Sequence, residues 1–195
     1  MTPPAGVRRR GTALERAIFD AVLDALGTVG YAGLTMEGVA VAARTGKAAL
    51  YRRWPGKDAL VADALRSVLP SPVEVPPQDS VRDDLLALLR CQVAGYDATH
   101  GAAFQAVKAG ETALLHSVIR DRVTEPVRQL ILAALQRGAQ RGEVRPDAAT
   151  AQVAEVGPAM IVHHLVTKAP RIPDGYLESI VDGVLLPLVR PISAG

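Results

Sequence analysis

Between Thr35 and Leu60 the chain reads TMEGVAVAARTGKAALYRRWPGKDAL, and this stretch leaves few ways to fold. Thr35 suits a helix cap, because its hydroxyl can accept from a free amide of the next turn. Glu37 then falls in the first turn, where the helix dipole favours a carboxylate. Met36, Val39, Ala40 and Ala43 recur at helical spacing and face inward. Arg44-Thr45-Gly46 reads as a tight turn. A short helix follows from Lys47 to about Trp54, where Pro55-Gly56 ends it. Two short helices across a three-residue turn are helix-turn-helix geometry. The second helix divides into faces. Leu50 and Trp54, four apart, point inward; Lys47 with Tyr51 and Ala48 with Arg52, also four apart, point outward. Ala48 and Ala49 are slim enough to enter a major groove, and Lys47, Tyr51 and Arg52 offer donors to base edges and phosphates.

The rest of the chain reads as further helices. Residues 1–10 (MTPPAGVRRR) lack periodicity and are expected to form a flexible basic arm. Leu14, Ile18, Val22, Ala25 and Val29, with Phe19 and Leu26, mark a first helix from Thr12. Gly27 and Gly30 should end it, with a turn over Tyr31-Ala32-Gly33. Leu60, Val61, Ala64, Leu65 and Val68 line one side of a helix from Lys57 to Leu69. The spacing therefore predicts a head over 11–69. Residues 70–79 hold four prolines and should form an irregular connection to a body over 80–190. In the body, Ser80 and Asp83 resemble a capping box ahead of a helix bearing Val81, Leu85, Leu88, Leu89, Val93 and Tyr96. Further helices are expected at about 101–108, 111–122, 125–140, 147–168 and 174–189. Pro126 is tolerated near a helix start, and Gly142 is placed as a C-terminal cap. Gly157-Pro158 should kink its helix, opening space for a ligand or marking a junction. No alternating run is long enough for a sheet, so the fold class is all-α.

Composition narrows the partners. Residues 1–66 hold ten Lys/Arg against six Asp/Glu, a balance of +4, whereas residues 67–195 carry −2. A basic head on a slightly acidic body suits a polyanion at one end only. Cys91, the single cysteine, excludes an intramolecular disulfide and reads as a small core residue. No apolar run of membrane-spanning or signal-peptide length is seen, so a soluble cytoplasmic protein is expected. Asp83, Asp84 and Asp121 read as helix-surface charges. Adjacent His163 and His164 diverge by about 100° on a helix, which disfavours joint metal ligation. His100 and His116 lack a cysteine or carboxylate at ligand spacing. With no acid–base constellation or nucleotide-binding motif, no catalytic residue, metal or cofactor is expected.

The run Lys47-Ala-Ala-Leu-Tyr-Arg-Arg-Trp-Pro-Gly-Lys-Asp-Ala-Leu60, with Gly30-Tyr-Ala-Gly-Leu-Thr-Met-Glu37 before it, closely resembles the head of the TetR family of transcriptional regulators. The resemblance covers about residues 11–69. The body resembles the family in outline: helix count, the Arg141-Gly-Glu-Val-Arg-Pro146 turn and two long closing helices. The resemblance implies that Thr35 touches a phosphate, that Lys47 and Tyr51 meet phosphates or the groove edge, and that Ala48 and Arg52 face bases or nearby backbone. It implies a phosphate clamp at Lys57. Arg44 departs from the glycine many members carry in this turn. With Thr45 it joins the residues expected at the DNA, and Arg8–Arg10 read either as a minor-groove arm or as a solubilising tail.

The resemblance further implies a homodimeric repressor on a palindromic operator, with its closing helices paired across the dimer. Val153, Val156, Ile161, Leu165, Ile180, Val184, Leu185 and Leu188 are the expected interface. It also implies a ligand cavity in the body, where a small apolar or amphipathic effector would release the operator. Leu88, Gln92, Tyr96, Phe104, Val107, Met160, His163 and His164 are the candidate lining. The competing reading is a constitutive or architectural DNA-binding dimer with no effector.

Overall fold

A computed structural model describes residues 11–99, 113–168 and 171–191, apart from the side chains of Val73, Leu114, Leu115, His116 and Val166. All regular structure among them is helical: α1 Thr12–Gly33, α2 Met36–Ala42, α3 Lys47–Tyr51, α4 Lys57–Val68, α5 Val81–Ala98, α6 Ala113–Ile119, α7 Glu125–Gln140, α8 Ala151–Thr167, α9 Asp174–Ile180 and α10 Leu186–Val189. The expected arm at 1–10 and the expected helix at 101–108 lie outside the described residues. Two compact units are present. One runs up to Ser67 and includes the first residues of α6, 113–115; the other begins at Val68 and takes in α5 and the chain from His116 on.

The first unit is built on α1. Ile18, Val22 and Leu26 are buried at helical spacing, and Leu34, Val39, Leu50, Leu60, Val61 and Leu65 complete the core. The helix continues past its expected end. Gly30 leaves helical geometry at φ 72°, and one further turn carries Tyr31 into the core before Leu34. Glycine adopts that left-handed φ without a Cβ penalty, so the break sits there. Val29, expected on the apolar stripe, is instead well exposed, because the stripe reaches its end at Leu26.

The second unit corrects several expectations. A 3-10 turn, Pro72–Glu74, forms within the proline-rich segment, because proline is tolerated in a first turn whose amide has no partner to lose. The segments 111–122 and 125–140 do not stand as separate helices. A π turn, Arg120–Thr124, links α6 to α7 without a break, and Val181–Leu185 links α9 to α10 in the same way. Each π turn comes immediately before an X-Pro step, Glu125-Pro126 and Leu186-Pro187. Proline lacks an amide and crowds the carbonyl four residues back; widening the preceding turn relieves both problems.

Asp84 is not a surface charge: it is 3% exposed. Its carboxylate accepts from the Gln78 amide at 2.8 Å and from Arg137 Nη2 at 3.0 Å. A buried carboxylate persists only with such partners. Nearby, Ser80 caps α5 by accepting from the Asp83 amide, while Glu143 accepts from the Val81 amide at 2.7 Å. The Ser80 hydroxyl donates to the Asp83 carboxylate, so the reciprocal bond of a true capping box, from side chain to the cap amide, is replaced. The Arg141–Pro146 turn is therefore a clamp. It rests on Gly142 at φ 77°, ties α5 to the end of α7, and bonds the Arg145 amide to the Val189 carbonyl at 2.9 Å.

Gly157-Pro158 also differs from expectation. Both residues are buried inside the single helix α8, and a Cβ on Gly157 would lie 3.1 Å from Leu89 and 3.2 Å from Leu185. The glycine brings three helices close; it opens no space at that point. Gly138 is tighter still, with a Cβ position 2.9 Å from Val144 and 3.2 Å from Val81, both stiff β-branched residues. In contrast, Gly27 in α1 has nothing within 4 Å of its Cβ position. Gly→Ala in a helix interior ordinarily stabilises by about 1 kcal/mol. Gly27→Ala should raise the melting temperature accordingly, whereas Gly138→Ala should lower it; calorimetric melts of the two variants check the contrast.

Candidate nucleic-acid interface

The interface is assembled from α2, α3 and the turn between them. Thr35 caps α2 as its sequence suggests: the hydroxyl accepts from the Gly38 amide at 3.0 Å. Beyond α2 the chain turns through Arg44, the one described non-glycine residue with a positive φ, at 53°. The Thr45 amide then bonds back to the Ala40 carbonyl at 2.9 Å, which closes the turn onto α2. Arg44 thus adopts the backbone conformation for which glycine is the default, and its side chain stands exposed beside α3 in sequence.

α3 has only five residues, shorter than the expected span to Trp54. Tight turns carry the chain from Arg52 to Trp54, and the Trp54 amide bonds to the Leu50 carbonyl. Leu50 is fully buried. Trp54 is 5% exposed, packs edge-on against Phe19 at 5.7 Å, and donates from its indole to Asp63 at 3.0 Å. These anchors fix the opposite face outward. Ala48, Tyr51 and Arg52 are exposed and Thr45 is half-buried.

The cations differ in how they are held. The Arg52 and Arg44 side chains make no ion pair or hydrogen bond with any described residue. Arg53 pairs with Glu15 of α1 at 2.9 Å, and Lys47 pairs with Glu37 of α2. Lys57, expected to clamp a phosphate, is half-buried and already engaged within the unit. It donates to the Tyr31 carbonyl at 2.9 Å and lies 4.1 Å from the centre of the Tyr31 ring. Tyr31 in turn donates to Asp58, and burial followed by that bond and charge pushes its hydroxyl pKa up to about 12. Lys57 is thus first a staple between α4 and the last turn of α1. Nothing in the local periodicity signals the Tyr31 staple or the Glu37 and Glu15 pairs, because each partner lies ten or more residues away. An open groove in this unit is lined by Ala17, Ala21, Ala25, Thr28 and Ala42 with Asp20 and Asp24, the wrong sign for a polyanion.

The residues expected to contact an effector fall unevenly. Leu88 is buried; Gln92, Tyr96, Met160 and His164 are half-buried; Phe104 and Val107 lie outside the described residues. His163 is exposed, about 100° round the helix from His164, and does not join them. Gln92 Oε1 and His164 Nδ1 are buried atoms without a hydrogen-bond partner among the described residues. The His164 ring packs 4.4 Å from that of Tyr176, whose hydroxyl donates to the Met160 carbonyl at 3.4 Å. Burial raises the Tyr96 hydroxyl pKa, with Asp97 adding to the effect.

Of the expected dimer contacts, Ile161, Ile180 and Leu185 are at most 2% exposed within one protomer. They are core residues and have no surface left to offer. Val153, Val156, Leu165 and Val184 are half-exposed, while Leu188 and the unforeseen Val162 are open to solvent. Among the described residues no group of three or more His, Cys, Asp or Glu is placed to hold a metal, and no helix is long and apolar enough to cross a membrane.

Comparison with known proteins agrees with this geometry. Residues 18–64 match the model of the bacterial regulatory proteins of the tetR family, and residues 75–184 match the tetracyclin repressor-like C-terminal domain. The DNA-binding transcriptional repressor TetR of Mycobacteroides abscessus is 32% identical over 187 residues, covering 93% of this chain and 97% of that protein. Two solved structures share the fold. The fatty acid degradation regulator FadR from Bacillus halodurans aligns with a TM-score of 0.72 at 17% identity, covering 92% and 97% of the two chains. AibR in complex with isovaleryl coenzyme A and operator DNA aligns with a TM-score of 0.64 at 19% identity, covering 92% and 100%.

The left-handed Arg44 gives a direct test of the turn. Arg44→Gly should stabilise the protein by about 1 kcal/mol, because the backbone penalty disappears. It should also weaken duplex binding and flatten its salt dependence if the guanidinium meets phosphate. A thermal melt run beside a fluorescence-anisotropy salt series separates the two effects; loss of stability in the variant would contradict the backbone argument.

Proposed function

The chain belongs to the TetR family of bacterial regulatory proteins, and from that membership we propose that it is a dimeric transcriptional repressor whose grip on an operator is loosened by a small amphipathic effector. The observation that carries the DNA-binding reading is the orientation of α3. Leu50 and Trp54 hold its inner face while Ala48, Tyr51 and Arg52 stand outward with Arg44 beside them. The outer face can enter a major groove because alanine keeps it slim there, and Arg52 has a fork of donors free for a base edge or a phosphate. Thr35, Thr45, Lys47 and Tyr51 surround it as backbone contacts. Lys57 contributes chiefly by fixing the start of α4.

Two copies would present two such helices to a roughly palindromic site. For the dimer contact we assign apolar surface that one protomer leaves uncovered: Val162 and Leu165 on one side of α8, with Val184 and Leu188 of the closing helix. Exposed apolar side chains gathered on two helices favour association. Leu188→Asp should therefore shift the sedimenting species toward monomer and weaken binding to an inverted-repeat duplex recovered by selection from a random library. A wild-type protein that binds selected and scrambled duplexes equally would overturn the operator reading.

The effector reading rests on the body's orphaned polar atoms. A buried acceptor without a partner costs about 1–3 kcal/mol, and such a cost is retained where another molecule supplies the missing bond. Gln92 Oε1 and His164 Nδ1 are two of these atoms, and Leu88, Met160 and Tyr96 supply apolar neighbours along the same two helices. They suit a molecule with an apolar body and a polar group that donates to Gln92. AibR, which shares the fold, is known with isovaleryl coenzyme A and operator DNA bound. The switch needs only differential affinity between two conformations, about 1–3 kcal/mol. Gln92→Leu should raise the melting temperature of the ligand-free protein, because it removes an unsatisfied acceptor. It should leave operator affinity intact and abolish release by compounds found in a thermal-shift screen that includes isovaleryl coenzyme A. A variant that melts lower and still responds would end the assignment.

A further inference from the structure

Of the cations near α3, Lys47 is in an unusual position. It is the first residue of the helix, on the outward side with Tyr51, whose ring centre lies 5.6 Å from its ammonium. Its ammonium is paired with the Glu37 carboxylate of α2, and both side chains are more than half exposed, at 55% and 56%. The Lys47 bond, with a smaller contribution from the backbone, holds the Glu37 carboxyl below the usual carboxylate range, so the pair is fully ionised at neutral pH. A carboxylate here has the wrong sign for a surface that receives DNA. The fold leans on it only lightly: Thr35 caps α2, and Met36, Val39, Ala40 and Leu50 supply the buried contacts of the motif, which leaves Glu37 the weak dipole contribution of an exposed first turn. The other ion pair of this region, Arg53 with Glu15, differs in reaching back to α1, where it ties the end of the motif to the first helix.

We propose that Glu37 is a stand-in for a DNA phosphate. It neutralises Lys47 in the free protein and surrenders it when a duplex docks, so that each binding event exchanges one ion pair for another. The proposal rests on the DNA-binding reading of α2 and α3. Its consequence is quantitative. A lysine that arrives already neutralised contributes little counterion release, so the pair lowers affinity for every duplex alike, since phosphate contacts carry no sequence information. Non-specific binding depends almost wholly on such contacts, and a repressor gains by holding it down.

The test uses the full chain with two duplexes: an inverted repeat selected from a random library by the wild-type protein, and its scrambled version. Wild-type binding that weakens with salt is the control for the DNA-binding reading; its failure would overturn that reading and the proposal together. Given that control, Glu37→Gln should tighten binding to both duplexes by about two- to fivefold at 0.15 M salt, the range expected for an exposed pair. The log–log salt slope should steepen by about 0.9, one phosphate's worth. Lys47→Gln should cost more in the Glu37→Gln background than in wild type, a coupling read from the double-mutant cycle. Weaker binding by Glu37→Gln, or an unchanged slope, would overturn the proposal and make Glu37 a support that positions Lys47. Should Glu37→Gln melt lower than wild type, Glu37→Ser, suited to a first helical turn, carries the same measurements.

Discussion

A helix of five residues cannot hold itself together in water; isolated helices shorter than about 12–15 residues are marginal even with favourable composition. α3 therefore exists because Leu50 and Trp54 are buried beneath it. Fully burying side chains of this size is worth about 1.5–3 kcal/mol each. The indole bond to Asp63 and the edge contact with Phe19 fix the angle of the anchor. Everything outward follows from that inner face. Ala48, Tyr51 and Arg52 are presented because the residues one and two positions away are held, and the turn before them can be tight because Arg44 accepts a left-handed backbone.

The second unit solves a different problem. Its sequence places prolines where long helices should run, and two solutions appear. At Pro126 and Pro187 the preceding turn widens to a π turn, and the helix carries on with Val123, Val181 and Leu185 still facing the core. At Pro158 the helix absorbs the residue, and the glycine before it lets Leu89 and Leu185 close in. At one end of α5, the Glu143 carboxylate takes up the free Val81 amide and Asp84 draws in Arg137. Apart from these contacts, Gln92 Oε1 and His164 Nδ1 are buried with no hydrogen-bond partner among the described residues.

The head was legible because each of its rules is local. The apolar spacing of Ile18, Val22 and Leu26, the Thr35 cap, the division of α3 into faces and the stop at Pro55 all act within one or two turns of chain. The misreadings have physical causes of the same kind. Val29 continues the stripe in sequence but lies where the helix has passed its core contacts. Asp84 has the spacing of a surface charge; only the arrival of Arg137 and the Gln78 amide lets it go inside. Ile161, Ile180 and Leu185 read as dimer surface in sequence because an apolar residue on a closing helix looks the same whether it faces its own core or a second copy.

The sequence by itself determined an all-helical chain, the helix-turn-helix and its outward side, the basic head and the family, since helical period, caps and turn residues are properties of neighbours along the chain. Tertiary structure alone decided which charges are free and which are spent. Lys47, Arg53 and Lys57 look alike in sequence to Arg44 and Arg52, yet the first three are held by Glu37, Glu15 and Tyr31 while the last two pair with no described residue. It also decided which apolar residues remain at the surface and which buried polar atoms lack partners. Pairing and burial depend on what the fold brings within a few ångströms, and the partners concerned come from ten to more than fifty residues away along the chain.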